Sequence, residues 1–133
     1  MNRITNRRST EEFQKTDAAH HLHPFSDMAE LNQIGSRVIV KGDGVFLFDN
    51  NGKKFLDAMS GLWCVNIGYG RSELATVAQR QMQELPFYNT FFGTTHPPVV
   101  DLSEKIASIA PKHLNHVFFS SSGSEANDTN IRL

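Results

Sequence analysis

The sequence predicts an α/β fold left incomplete at its C-terminal end, on three observations. Short apolar runs separated by Gly/Asn turns between Arg37 and Gly61 have the pattern of strands. Apolar residues recur at helical spacing after Ser72 and again after Pro97-Pro98, the pattern of two amphipathic helices. A last apolar run, Val117 to Phe119, enters a Ser/Gly turn and then the opening of a further helix. With 133 residues, 39% of them hydrophobic, the chain has material for one modest core, which favours a single domain or part of one.

The elements follow in order. Ser9-Thr10-Glu11-Glu12 forms a capping box, which starts a short helix running to about His21 and ended by Pro24. The stretch "HPFSDMAELN" then reads as an irregular connection, because His23 precedes Pro24 and is biased away from helix. Val38 to Val40, Val45 to Phe48 and Phe55 to Ala58 are separated by Gly42-Asp43-Gly44 and Asn50-Asn51-Gly52, which predicts a three-stranded antiparallel meander. Gly61, Gly68 and Gly70 then punctuate a segment that carries Trp63, Cys64 and Tyr69.

Leu74, Val77, Ala78, Met82 and Leu85 mark a helix that stops at Pro86. Val99, Leu102, Ile106 and Ile109 mark another, which begins after Pro97-Pro98 and ends at Pro111. Between them Phe87, Tyr88, Phe91 and Phe92 lie on a connection rather than on a periodic face, and so many aromatics in a loop require a surface to pack against. The expected organisation is an N-terminal segment with the meander over residues 1–70, and the start of a second, larger domain over 71–133.

Composition narrows the function classes. Acids and bases are interspersed and the net charge is -1, so no nucleic-acid footprint is expected; Arg3, Arg7 and Arg8 are expected to solvate a frayed N-terminus. The first ten residues hold no apolar core of a leader, and no run is long enough to span a bilayer, so no membrane partner is expected and the default compartment is cytoplasmic. The single cysteine, Cys64, excludes an internal disulfide framework and suits a reducing compartment.

The segment "HVFFSSSGSEANDTNIRL" carries the clearest chemistry. Val117, Phe118 and Phe119 read as a buried strand, Ser120 to Ser124 as a turn, and Glu125 onward as a helix with an acid in its first turn. A strand, a glycine turn and a helix N-terminus aim free N–H groups and the positive dipole end at one point, which suits a phosphate. The same residues are also consistent with Ser122 or Ser124 serving only as a helix cap. No Gly-Lys-Ser/Thr follows, so this is not a P-loop. A strand feeding a helix needs a parallel neighbour reached by a return strand, and none follows; the chain is therefore expected to be the N-terminal piece of a larger α/β protein, and a stand-alone nucleotide module is excluded.

Other clusters yield less. His20, His21 and His23 have no defined Cys, Asp or Glu partner, so no metal site is expected, and packing or capping at the end of the first helix is the preferred role. Cys64 is expected to be a small buried hydrophobe rather than a nucleophile. Glu125 is expected to support its own helix. None of Lys15, Lys41, Lys53, Lys54, Lys105 and Lys112 sits in the apolar surroundings that a covalent-catalysis lysine needs.

Four blocks in order, "AAHHLHPFSDMAELN", "GLWCVNIGYGR", "LPFYNTFFGTTHP" and "FFSSSGSEANDTNIRL", make the chain resemble the N-terminal portion of a class III (omega) aminotransferase. The resemblance runs from about Phe13 to Leu133 and is nearest the amine or omega-amino-acid:pyruvate group, with its putrescine- and beta-alanine-using members. It implies a fold-type I transferase dependent on pyridoxal 5'-phosphate, with Gly123 and Ser124 on the cofactor phosphate. It also implies Trp63 and Phe25 in the substrate pocket. Phe91 and Phe92 would line the site of the other subunit in a homodimer or higher oligomer, which explains aromatics on a connection. The substrates implied are a small-molecule amine donor and pyruvate. The lysine that links the cofactor, and the family's other catalytic groups, fall beyond Leu133, so no catalytic residue is assigned here. The 133 residues alone are expected to lack turnover, and a non-catalytic truncated chain with at most weak phosphate binding or subunit association stands as the alternative.

Overall fold

The computed structural model describes residues 8–133, which form two bodies that divide between Val77 and Ala78. Arg3 and Arg7 lie outside the described residues. Arg8 is not part of a frayed tail: its guanidinium lies 4.8 Å from the centre of the Phe13 ring and donates to the Glu12 carbonyl at 3.0 Å.

In the first body, helix α1 covers Thr10–His20 and begins with the complete capping box. Ser9 Oγ accepts from the Glu12 N–H at 3.1 Å, and the Ser9 N–H donates back to Glu12 Oε2 at 2.6 Å. The connection expected after Pro24 contains a second helix, α2, over Met28–Ile34. Asp27 caps it by accepting from the N–H groups of Ala29 (2.9 Å) and Glu30 (3.2 Å), and Gly35 closes it at φ +77°. Asp27 followed three residues later by Glu30 is the start signal, and the influence of Pro24 extends no further than the turn at residues 24–26.

The meander is present in the expected order, with β1 (Ile39–Asp43), β2 (Phe46–Asp49) and β3 (Lys54–Leu56) antiparallel. Its first turn is tighter than the glycines suggest, because Gly42 and Asp43 pair with Leu47 and Phe46 and leave only Gly44 and Val45 between the strands. Gly44 takes φ +57°, which a glycine reaches without a Cβ clash. A register shift between Ile39 and Lys41 places one extra residue in β1. In the second turn the Asp49 carboxylate accepts from the N–H groups of Asn51 (3.0 Å) and Lys53 (2.8 Å). Thr10 ties α1 to that turn through Asn51 Oδ1 at 2.7 Å and Asn50 Nδ2 at 3.1 Å.

Basic side chains lie over the rings of the sheet. Lys54 Nζ is 3.7 Å from the centre of Phe46, Lys41 is 5.0 Å from Phe48, and Arg37 and Lys53 are 4.5 and 5.2 Å from Phe55. After β3 come the single turn α3 (Ser60–Trp63) and an antiparallel bridge between Gly44 and Tyr69. Helix α4 (Ser72–Glu84) follows and contains the division between the bodies.

The second body continues with α5 (Pro97–Ile109), which starts on Pro97-Pro98 rather than after them because proline suits the first turn of a helix, and α6 (Gly123–Arg132). Val117–Phe119 is not a buried strand: no ladder forms there, and Phe118 is 70% exposed. A strand exists only by pairing, and no neighbouring strand is available to this segment among the described residues. The apolar stripe of α4 is likewise uncovered, that of α5 is half-covered at Val99 and Ile106 and open at Leu102 and Ile109, and no described side chain is fully buried. Cys64 is also exposed rather than buried, with its thiol 3.3 Å from the Leu62 carbonyl. No helix among the described residues is long and apolar enough to cross a membrane.

The close approach of Tyr69 to the meander has a measurable consequence. A Cβ on Gly42 would fall 2.6 Å from Cδ1 of the Tyr69 ring. Gly42→Ala is expected to cost about 1–3 kcal/mol by overpacking, read as a lower midpoint of chemical denaturation. Gly52→Ala has open space around it and meets only the left-handed backbone at φ +82°, which limits the loss to about 1–2 kcal/mol.

Candidate functional site

The candidate functional groups are Phe25 and Trp63 in the first body and, in the second, Phe91, Phe92 and the start of α6. Phe25, Trp63 and Phe92 share an unusual backbone, with φ of 53°, 65° and 59°. Only five non-glycine residues among those described have positive φ, and three of them are these aromatics. A bulky L-residue in the left-handed region costs roughly 1–2 kcal/mol, and such strain persists only where surrounding contacts hold it. All three side chains stand in the open: Phe25 is fully exposed, Trp63 80% and Phe92 98%.

Each strained turn has its own polar support. Trp63 ends a run in which Ser60, Gly61, Leu62 and Trp63 are all left-handed. The Asp57 carboxylate holds that run through one oxygen, Oδ2, which accepts from the Gly61 N–H at 2.8 Å and from the Tyr69 hydroxyl at 2.6 Å. Asn89 Oδ1 accepts from the Phe91 N–H at 2.9 Å, and the Thr94 hydroxyl donates to the Phe91 carbonyl at 2.7 Å, closing the turn that carries Phe92. The Ser26 hydroxyl donates to the Pro24 carbonyl at 3.2 Å across Phe25. Phe91 and Phe92 form an edge-to-face pair with centroids 6.2 Å apart, whereas Phe25 and Trp63 stand on separate turns of the first body without pairing. Sequence reasoning missed Asp57, Tyr69, Asn89 and Thr94 as supports. An Asn two residues before Phe91 was a readable turn signal, but the link between Asp57 and Tyr69 is not local.

At the start of α6 the two readings of the serines separate. Ser122 is the cap, its hydroxyl accepting from the Glu125 N–H at 3.2 Å, and the Glu125 carboxylate accepts from the Ser121 N–H at 2.8 Å. Glu125 thus supports its helix as expected. Among the described residues no hydrogen bond uses the N–H of Gly123 or Ser124 or the Ser124 hydroxyl, all of them exposed at the positive end of the helix. A Cβ on Gly123 would meet nothing within 4 Å, so this position is open to the approach of a ligand. An open cleft of about 480 Å³ next to the turn is lined by Phe118, Phe119, Ser120, Ser121, Glu125 and Asp128. Its two carboxylates make that cleft unfit for an anion, and it does not include Gly123 or Ser124.

The histidines acquire the acid that the sequence did not reveal. Asp17 accepts from His21 Nδ1 at 2.9 Å and His23 Nε2 at 2.8 Å, and the two rings lie 4.1 Å apart. The Ser36 hydroxyl, His21 and His23 together hold the Asp17 carboxyl down to about 2. These bonds pin the end of α1, and His20 takes no part in them. All six lysines are exposed.

The sequence profile of the family "Aminotransferase class-III" matches residues 28–133. The chain belongs to the class-III aminotransferases. It is 58% identical to the putrescine–pyruvate aminotransferase of Pseudomonas aeruginosa over 130 residues, 98% of this chain and 28% of that protein. An (S)-enantioselective omega-transaminase from Thermomicrobium roseum superposes with a TM-score of 0.90 at 43% identity, over 94% of this chain and 28% of that one. The omega transaminase of Pseudomonas jessenii, solved in complex with PMP, superposes at 0.85 and 36% identity, over 90% of this chain and 26% of that one. The chain therefore spans little more than a quarter of the length of these relatives. The fold is that part of the fold-type I pyridoxal-phosphate transaminase architecture which contains the small antiparallel meander and the helices that precede and follow it in sequence.

Class-III aminotransferases depend on pyridoxal 5'-phosphate, and the donor set at α6 fits a phosphate: two free N–H groups, a free hydroxyl, a helix N-terminus and open space at Gly123.

The Asp57 clamp has a pH signature. The Tyr69 hydroxyl, and then the N–H groups of Gly61, Met59 and Ser60 working against desolvation, hold the Asp57 carboxyl below its ordinary value. The hydrogen bond to Asp57, burial and the Asp57 charge push Tyr69 above its ordinary value. Asp57 therefore contributes fully above the usual carboxylate range and loses that contribution as acid protonates it. Tyr69 contributes fully below the usual phenol range and loses it as the pH rises through its raised value. Trp63 is the sole tryptophan, so its fluorescence is expected to stay level between these limits and to change below about pH 4 and above about pH 10.

Proposed function

We propose that this chain forms the phosphate end of the cofactor site and an aromatic wall of the substrate pocket in an aminotransferase that moves an amino group from a primary amine or omega-amino acid to pyruvate. The observation that carries the reading is the placing of Phe25, Trp63 and Phe92, three exposed aromatics in left-handed backbone, each with polar groups spent on holding its turn. A fold tolerates such strain where it serves a site. The named substrates of the Pseudomonas aeruginosa relative, putrescine and pyruvate, support the choice of donor and acceptor class.

In this reading the N–H groups of Gly123 and Ser124 and the Ser124 hydroxyl bind the phosphate, whose negative charge is favoured at the start of α6. The bound pyridine ring supplies the electron sink that makes the donor's α C–H acidic. Trp63 and Phe25 orient the hydrocarbon part of the amine and exclude water, and Phe91 and Phe92 do the same for the site of a second subunit in a homodimer. The protein acts in the cytoplasm, a reading supported by its single cysteine and by the absence of a spanning helix among the described residues.

A second reading concerns these 133 residues by themselves, and the exposure of all six lysines favours it. A covalent-catalysis lysine needs apolar surroundings, and each of these side chains faces solvent. The isolated chain is then a non-catalytic segment with at most weak phosphate binding or subunit association.

Gly123→Ala is expected to leave the helix content unchanged by circular dichroism while weakening cofactor retention by the holoenzyme; equal retention would remove the cradle. Ser124→Ala, which deletes one hydrogen bond to a charged group, is expected to raise the cofactor dissociation constant about tenfold. The 133-residue chain, incubated with pyridoxal 5'-phosphate and borohydride, is expected to give no stoichiometric lysine adduct by mass spectrometry and no amine-to-pyruvate transfer.

A further inference from the structure

We propose that Asp57 and Tyr69 are positioning residues for the amine-binding wall: by gripping the Gly61 N–H and the Tyr69 hydroxyl on one oxygen, Asp57 locks the left-handed turn that presents Trp63. The proposal rests on the reading of Trp63 as part of the substrate pocket.

The turn cannot be explained by local preference. Ser60, Leu62 and Trp63 are non-glycine residues at φ 51°, 61° and 65°, in a region that only Gly61 occupies without penalty. The backbone bonds inside the turn run from the Trp63 N–H to the Met59 carbonyl and from the Cys64 and Val65 N–H groups to the Ser60 carbonyl, each at 2.9 Å. Such bonds also form in right-handed turns, so they do not select the hand. The selective contacts come from Asp57, four residues before Gly61, and from Tyr69, eight residues after it.

Tyr69 is itself fixed from three directions. Its N–H donates to the Gly44 carbonyl at 2.8 Å, and its carbonyl accepts from the Gly44 N–H at 3.1 Å. Its ring lies against Gly42, where no side chain fits. Its hydroxyl reaches Asp57, and the hydroxyl oxygen stands 3.0 Å from where a Cβ on Gly61 would be. The first hairpin of the meander thus sets Tyr69, Tyr69 sets Asp57, and Asp57 sets the turn. Trp63 is 80% exposed, so little packing by the described residues holds it and the backbone beneath it decides its place.

The test compares five variants of the holoenzyme, four single ones and the double variant Tyr69→Phe/Asp57→Ala, with putrescine and with benzylamine as donors and pyruvate as acceptor. Trp63→Ala reads the underlying pocket assignment. Tyr69→Phe removes only the hydroxyl, and Asp57→Ala removes the acceptor. Asp57→Asn keeps an oxygen that can accept both bonds. If the clamp positions the wall, Tyr69→Phe and Asp57→Ala each raise the amine KM about tenfold with kcat within about twofold, since binding is lost equally from ground and transition states. The double variant is then no worse than either single one, Asp57→Asn stays within about twofold of wild type, and the cofactor absorbance is unchanged in all five.

An unchanged KM in Tyr69→Phe, with Trp63→Ala still raising it, overturns the clamp and leaves the pocket reading standing. An unchanged KM in Trp63→Ala overturns the pocket reading and the clamp with it. A fall in kcat that tracks the folded fraction at constant KM assigns Asp57 and Tyr69 a purely structural role and also overturns the proposal.

Discussion

Oδ2 of Asp57 holds two donors that lie eight residues apart, and the first body of the molecule is organised around that oxygen. On one side it reaches the Tyr69 hydroxyl, which is anchored through Gly42 and Gly44 to the first hairpin. On the other it reaches Gly61, the pivot of a left-handed turn that three neighbouring residues could not adopt unaided. Asp57 follows directly on the last strand of the meander, so a rigid sheet and a strained turn are coupled over very short distances. Such coupling gives an exposed tryptophan a defined direction without burying it.

The same economy recurs around the other aromatics. Asn89 and Thr94 close the turn at Phe92, and Ser26 braces the one at Phe25, with hydrogen bonds that span only a few residues. Rings held in this way keep their faces free, whereas rings held by packing would have spent them. At α6 the capping serine and Glu125 satisfy some donors of the first turn and leave those of Gly123 and Ser124 uncommitted. Held backbone with free functional groups is the arrangement that binding sites need, and it is found at each place assigned here to the pocket or to the cofactor.

Much of this was legible in the chain. The capping box at Ser9 and Glu12, the meander, and the proline-bounded helices α4 and α5 are local features, and their periodicity and turn residues specify them without reference to anything distant. The glycine positions are legible in the same sense, although β1 runs through Gly42 and Asp43 because pairing with Leu47 and Phe46 extends the ladder into the turn. Helix α2 was obscured because a proline three residues ahead of its cap suggested a longer irregular stretch. The burial of Val117–Phe119 and of Cys64 was misjudged for a different reason. Burial depends on what lies against a residue, and hydrophobicity alone does not supply it.

By itself, the sequence determined the meander and the helices α1, α4 and α5, since these depend on residue types within a few positions of one another, and its resemblance to the family singled out Gly123, Ser124 and the four aromatics as candidate site residues. Only the tertiary structure decided how those aromatics are held. The left-handed turn at Trp63 opposes local preference, and it exists because Asp57 and Tyr69, twelve residues apart, share a hydrogen bond that the meander brings into register. Likewise the bond of His23 to Asp17, which joins the i,i+4 pair of His21 and Asp17, arises only once the chain has turned beyond the end of α1. Strain and convergence of this kind are set by contacts between separated positions, and a pattern read along the chain carries no distance between them.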